Sequence, residues 1–207
     1  MRLIMFDMDG TLVNSSKAIT NTINYVRENI GLTRLEDKFI LEKVNDPSIN
    51  SAEFFYGTPD FTDEQVFLFE EYYNEHCLTD LELYDGIAKL IDDLKSDFVL
   101  AVATNANSQY AKKMLDHVGI GSYFPTILGY DSVVNPKPHP EMVNKILDKH
   151  NILNINAQLI GDSHKDIMAA TKAGVDSVLV NWGFTDHKED AIETIQELEY
   201  RIQQKFR

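Results

Sequence analysis

The alternation of segments between residues 84 and 180 constrains the fold more than any other feature. Stretches over 86–95, 108–118, 140–150 and 165–173 repeat apolar residues at helical spacing, as with Ile87, Leu90, Ile91 and Leu94. Between them lie short apolar runs over 98–103, 126–128, 158–160 and 177–180, each too short for a buried helix. Pro140 opens one helix, and Gly119 and Gly174 close two others. A further apolar run at 3–6 supplies a first strand, and 188–206 reads as a long amphipathic helix. Strands alternating with helices require a parallel sheet covered on both faces.

The region after the first strand breaks this rhythm. Residues 16–29 predict a helix with Ile19, Ile23, Val26 and Ile30 on one face. From 37 to 77 no strand pattern occurs. There is a short helical pattern with Phe39, Ile40 and Val44, a break at Asp46-Pro47, another at Gly57-Thr58-Pro59, and a helix opened by Thr62. Val66, Phe67, Phe69, Tyr72 and Tyr73 on that last helix are expected to form the small core of a helical subdomain. The fold class is therefore α/β: a Rossmann-like parallel sheet core with an inserted helical cap. The expected boundaries are a discontinuous core over 1–14 and 83–207 and a cap over 15–82.

With 207 residues, 43% of them hydrophobic, the chain can bury a proper core. Its 19 basic and 33 acidic residues give a net charge of -14, which argues against nucleic acid and anionic membranes as partners. A small anionic substrate needs only a local pocket of donors or a cation. The single Cys77 cannot form an internal disulfide and is expected to be a small buried residue. The start of the chain is no secretory leader, and no stretch approaches a membrane span, so a cytoplasmic protein, monomeric or weakly dimeric, is expected.

Ligands of open parallel sheets bind at the carboxyl ends of the strands. After the first strand come Asp7, Asp9, Gly10 and Thr11; after the second, Thr104 and Asn105; after the third, Lys137 in NPKPHP; after the fourth, Asp162, Ser163 and Asp166 in GDSHKD. Clustered carboxylates repel one another unless a cation sits among them. Oxygen-only donors suit Mg²⁺. A metal-bound carboxylate can act as a nucleophile toward a phosphoryl group, whose oxygens then need positive and neutral donors. Gly10 lets backbone N–H groups approach such a group closely. A second carboxyl group two residues beyond the nucleophile can protonate the leaving oxygen and later activate water, and the intervening Met8 can point into the core.

The ordered set DMDGTL, VATN, NPKPHP and GDSHKD resembles the four motifs of the haloacid dehalogenase superfamily of phosphohydrolases. The helical insert is similar to the alpha-helical cap of its phosphoglycolate phosphatase-like and beta-phosphoglucomutase-like branch. Asn14 departs from the Asp frequent at that place, at the hinge into the cap. The resemblance implies that Asp7 is nucleophile and Mg²⁺ ligand, and that Asp9 is general acid/base with its backbone carbonyl as a second ligand. Asp162 would be the third ligand, and Asp166 would sit nearby in a supporting role, bonding a metal-bound water or Lys137. Thr104, Asn105 and Gly10 would hold the phosphate, and Lys137 would neutralise Asp7 and the transferring group. His164 has no assigned role. The implied activity is Mg²⁺-dependent hydrolysis of a small phosphorylated metabolite, phosphoglycolate first. The alternatives are a nucleotide or pyrophosphate substrate and a phosphomutase. Carbon–halogen hydrolysis is disfavoured by the presence of Asp9 and Asp162.

Overall fold

A computed structural model of the chain describes residues 1–46, 48–184 and 190–207. Its centre is a parallel sheet of β1 (Arg2–Phe6), β4 (Phe98–Ala103), β5 (Thr126–Leu128), β6 (Ala157–Gly161), β7 (Asp176–Val180) and β8 (Ala191–Ile192). The strand order is β5-β4-β1-β6-β7-β8. The chain leaves β1 toward one edge, through β4 and β5, then returns to β6 on the other side. Asp7 therefore emerges at the point where the winding reverses, the usual place for a ligand crevice.

Side chains along each strand alternate between two cores, as the pleat requires. Ile4, Phe6, Leu100, Val102 and Ile160 join one cluster with α5 (Ile87–Leu94), α6 (Ser108–His117) and α9 (Ile195–Lys205). Leu3, Met5, Ala101, Ala103 and Leu159 join the other with α7 (Glu141–His150) and α8 (His164–Ala173). Burial on both faces explains why these strands read as continuous apolar runs.

Between β2 (Val13–Asn14) and β3 (Glu82–Leu83) lie α1 (Ser16–Asn29), α2 (Asp37–Val44), α3 (Ser51–Tyr56) and α4 (Asp63–His76). Ile23, Val26, Ile40, Phe55 and Tyr56 form a third, separate apolar cluster there. Thr62 and Gln65 cap α4 reciprocally: the Thr62 hydroxyl accepts from the Gln65 N–H at 3.3 Å, and Gln65 Oε1 accepts from the Thr62 N–H at 3.0 Å. The buried Arg27 side chain donates to the Thr33 carbonyl at 2.8 Å and to that of Phe55, tying α1 to the following turn and to α3. β2 and β3 pair antiparallel, so the two chain crossings run side by side as a ribbon.

Several elements differ from the sequence reading. The aromatic face of α4 does not serve one small core. Tyr73 enters the large cluster against Met114 and Tyr110 of α6, whereas Val66 and Phe67 are 43% and 63% exposed. The last helix begins at Ile195, capped by the Thr194 side chain, because Ala191–Ile192 extends the sheet beside β7. Residues 188–189 and the expected break at Pro47 lie outside the described residues. Helix α3 and the β2–β3 ribbon were not expected; six and two residues carry too little periodicity to declare themselves. Cys77 is fully buried, as expected.

Candidate active site

The backbone after β1 turns at once. The Met8 carbonyl accepts from the N–H groups of Thr11, Leu12 and Val13 at 2.9–3.2 Å, and Gly10 takes a φ of +81°. Met8 is fully buried in the core, so Asp7 and Asp9 flank it on the open side of the turn. The indole N–H of Trp182 donates to the Thr11 carbonyl at 3.1 Å and pins the loop from the β7 side. A Cβ on Gly10 would lie 2.1 Å from Asp162 Oδ2, and one on Gly183 2.5 Å from the same atom. Only glycine lets these backbones close around that carboxylate.

Lys137 is the hub. Its ammonium donates to Asp7 Oδ1 at 2.8 Å and to Asp166 Oδ1 at 2.5 Å, and all three side chains are buried. Burial alone would lower the lysine, but Asp166 and Asp7 outweigh it and hold the ammonium protonated, above its usual range. The Asn105 amide braces this lysine from behind: its Oδ1 accepts from the Lys137 N–H at 3.1 Å, and its Nδ2 donates to the Lys137 carbonyl at 2.8 Å. Thr104 is buried, and its hydroxyl accepts from the Ala106 N–H at 3.0 Å. Asp166 caps the start of α8 together with Ser163, accepting from the Ser163 N–H at 3.1 Å.

Asp9 sits in different surroundings. It is partly buried and accepts from the Ser15 hydroxyl at 2.5 Å. Burial pushes its carboxyl up to about 7, Ser15 opposes this, and the Asp7 charge adds to it. Asp166 is pushed up to about 6, chiefly by burial with Lys137 opposing, and Asp162 well above the carboxylate range, by burial and then by Asp7. Carboxyl oxygens of Asp7, Asp162 and Asp166 lie within 4.8 Å of one another. Two strand ends, those of β1 and β6, thus deliver one hard-oxygen cluster, chemistry that fits a small divalent cation. Both Asp166 oxygens are already engaged, by Lys137 and by Ser163, so Asp7 and Asp162 are the better placed to face an ion.

The structure brings Asp7, Lys137, Asp162 and Asp166 together and sets Asp9 beside them. It uses the Asn105 side chain to hold Lys137 instead of opening it to a ligand. His164 is exposed at the first turn of α8. Three residues near the site escaped the sequence reading: Ser15 on Asp9, and Asn45 and Lys165, discussed below. Ser15 carried a readable signal, a hydroxyl immediately before the first helix of the insert.

The model of haloacid dehalogenase-like hydrolases matches residues 4–180. The chain belongs to that family, and so is an enzyme, a hydrolase. A phosphoglycolate phosphatase of Aquifex aeolicus (strain VF5) is 30% identical over 185 residues, covering 89% of this chain and 86% of the relative. The crystal structure of a predicted phosphoglycolate phosphatase from Haemophilus somnus 129PT superposes with a TM-score of 0.78 at 27% identity, covering 89% of this chain and 87% of that one. The fold is also that of a predicted phosphatase from Clostridium acetobutylicum, with a TM-score of 0.86 at 24% identity over 98% of both chains. Among the described residues no helix is long and apolar enough to cross a membrane.

Proposed function

We propose that the chain is a Mg²⁺-dependent phosphatase of a small phosphorylated metabolite, with phosphoglycolate the first substrate to test. The observation that carries this reading is the division of labour between two aspartates one residue apart. Asp7 is held against the protonated Lys137 at 2.8 Å, whereas Asp9 is pushed up to about 7. One carboxylate is thus paired with an ammonium and placed as a nucleophile, and the other keeps a proton to give.

An Asp7 oxygen attacks phosphorus, the bond to the leaving oxygen breaks, and the Asp9 carboxyl transfers its proton to that oxygen. The resulting Asp9 carboxylate then takes a proton from a water that attacks the same phosphorus. This releases inorganic phosphate, restores the Asp7 carboxylate and reprotonates Asp9. Ser15 orients Asp9 throughout. Lys137 offsets charge on Asp7 and on the transferring oxygens. The Thr104 hydroxyl and the N–H groups around Gly10 and Asn105 offer neutral donors. Asp7 and Asp162, with the Asp9 carbonyl, would hold Mg²⁺, which when bound lowers repulsion between the nucleophile and the phosphoryl oxygens. Residues 15–82, with their own apolar cluster, act as a cap over the leaving group, and 1–14 with 83–207 form the catalytic core.

The test is release of inorganic phosphate from a panel of phosphorylated metabolites, with Mg²⁺ and after chelation. Hydrolysis that EDTA stops and Mg²⁺ restores supports the reading. Full turnover in metal-free enzyme, or isomerisation of a sugar phosphate without phosphate release, refutes it.

A further inference from the structure

The loop after α2 reaches across to the catalytic carboxylates. Asn45 ends that helix, and its Nδ2 donates to Asp162 Oδ2 at 3.4 Å. The Asn45 carbonyl accepts from the Ser163 hydroxyl at 3.4 Å, and the Val44 carbonyl accepts from the Lys165 ammonium at 3.2 Å. Three polar contacts, from two adjacent cap residues to Asp162, Ser163 and Lys165, therefore fasten the insert to the first turn of α8. Their partners are 117 to 121 residues apart in sequence, so they join the insert to the core independently of the β2–β3 ribbon.

We propose that Asn45 is a cap-borne positioning residue that orients Asp162 for the cation, and that Lys165 is the clasp holding Asn45 there. The metal site is then complete only when the cap is shut. This rests on the reading of Asp162 as a Mg²⁺ ligand.

The chemistry follows from the atoms involved. Asp162 Oδ2 already accepts from the Phe184 N–H at 3.3 Å. A second donor on this oxygen fixes the plane of the carboxylate and turns Oδ1 toward the cluster. Partners of this kind around metal ligands are worth roughly 10–100-fold in metal affinity. Among the described residues the Lys165 ammonium hydrogen-bonds the Val44 carbonyl and none of the proposed ligands. It grips a backbone carbonyl of the insert, an atom that leaves when the cap swings away. Binding linkage is reciprocal, so a cation that favours the shut cap is favoured by it in return.

Lys165 also makes the proposal separable from simple electrostatics. Its ammonium lies within electrostatic reach of Asp7 and Asp166. If it acted only as a nearby positive charge, removing it would tighten Mg²⁺ binding. If it acts as a clasp, removing it weakens binding.

The experiment measures Mg²⁺ affinity without substrate, by calorimetry and by the fluorescence of the single Trp182, alongside far-UV circular dichroism to verify folding. Asn45→Ala and Lys165→Met should each weaken Mg²⁺ binding roughly tenfold. Lys165→Arg, which keeps a donor for the Val44 carbonyl, should restore most of it. The double variant should lose little more than the worse single one, because both remove the same clasp. Tighter Mg²⁺ binding by folded Lys165→Met, or unchanged binding by folded Asn45→Ala, overturns the proposal. Failure of the unaltered protein to bind Mg²⁺ or to release phosphate sinks instead the functional reading beneath it.

Discussion

A carboxyl group buried beside another carboxylate resists ionisation, and at Asp9 and Asp166 this has consequences for both rate and stability. Asp7→Asn should leave the fold intact and reduce phosphate release to near background, since an amide is a far poorer nucleophile. Asp9→Asn removes only proton transfer, a contribution of roughly 10²–10⁴ in rate; steady-state kcat for the two variants separates the roles, and near-native turnover in either contradicts its assignment. Asp9 at about 7 and Asp166 at about 6 also hold protons in the folded chain that the unfolded chain has released. Their folded values are raised, so stability is fully present below the unfolded value, about 4, and falls as pH rises through about 6 to 7. Lys137 stays protonated throughout. The Tm of metal-free protein should therefore drop between about pH 5 and pH 7.5, and about 10 mM Mg²⁺ should reduce that drop by stabilising the ionised carboxylates. A Tm that rises over this range, with the same profile with and without Mg²⁺, contradicts the cluster's electrostatics. Asp7, Thr104, Asn105 and Asp162 were legible because they follow strands directly, and Asp9, Lys137 and Asp166 because they lie in the loops or helix start just beyond. Asn45 and Lys165 were not, because their partners lie 117 and 121 residues away and no local pattern announces them.

At the scale of elements, legibility followed periodicity. Helix α1 was expected at 16–29 and spans Ser16–Asn29, and β4 was expected at 98–103 and spans Phe98–Ala103, because a whole face of each is apolar or the run is continuous. Helix α3 has only six residues and is held by the Asn50 side chain, which accepts from the Ala52 and Glu53 N–H groups at 2.9 and 3.3 Å. Its existence depends on tertiary packing of Phe55 and Tyr56. The aromatics of α4 misled because composition does not reveal direction: Tyr73 faces the large core while Phe67 faces outward. The Thr62–Gln65 capping box gives a clean test of how independent this helix is from the chemistry. Thr62→Ala should cost about 1 kcal/mol of stability, measured by urea denaturation, with Mg²⁺ affinity unchanged. A large loss of Mg²⁺ affinity with no loss of stability would mean that α4 communicates with the site in a way its caps do not account for.

The helices between β2 and β3 carry an apolar cluster of their own, but Ala18, Tyr73, Cys77 and Leu81 join the large core, and the β2–β3 ribbon carries both chain crossings. Val13–Asn14 and Glu82–Leu83 are paired antiparallel, so the two crossings must move together, as a strap and not as independent linkers. Lys17 and Asp80 bridge beside them at 3.0 Å, but both are exposed, and such a pair adds little resistance to bending. The contacts of Val44 and Asn45 with Asp162, Ser163 and Lys165 form another junction between insert and core. Opening at that junction with a pivot at the strap would admit substrate, and closing would exclude bulk water. A phosphatase must keep one attacking water in the shut state; a phosphomutase must exclude even that one until its intermediate has turned over. Beryllium fluoride with Mg²⁺ should bind Asp7 as an imitation of its phosphorylated form and shift the population toward the shut state. The radius of gyration from small-angle scattering should fall, and protease cleavage near the strap should slow. Without a bisphosphate primer, phosphate should appear in step with substrate loss. If the scattering and cleavage rates do not change while fluoride and Mg²⁺ are shown to be bound, closure is not coupled to the state of Asp7. The cap would then act as a fixed wall whose shape alone selects the leaving group.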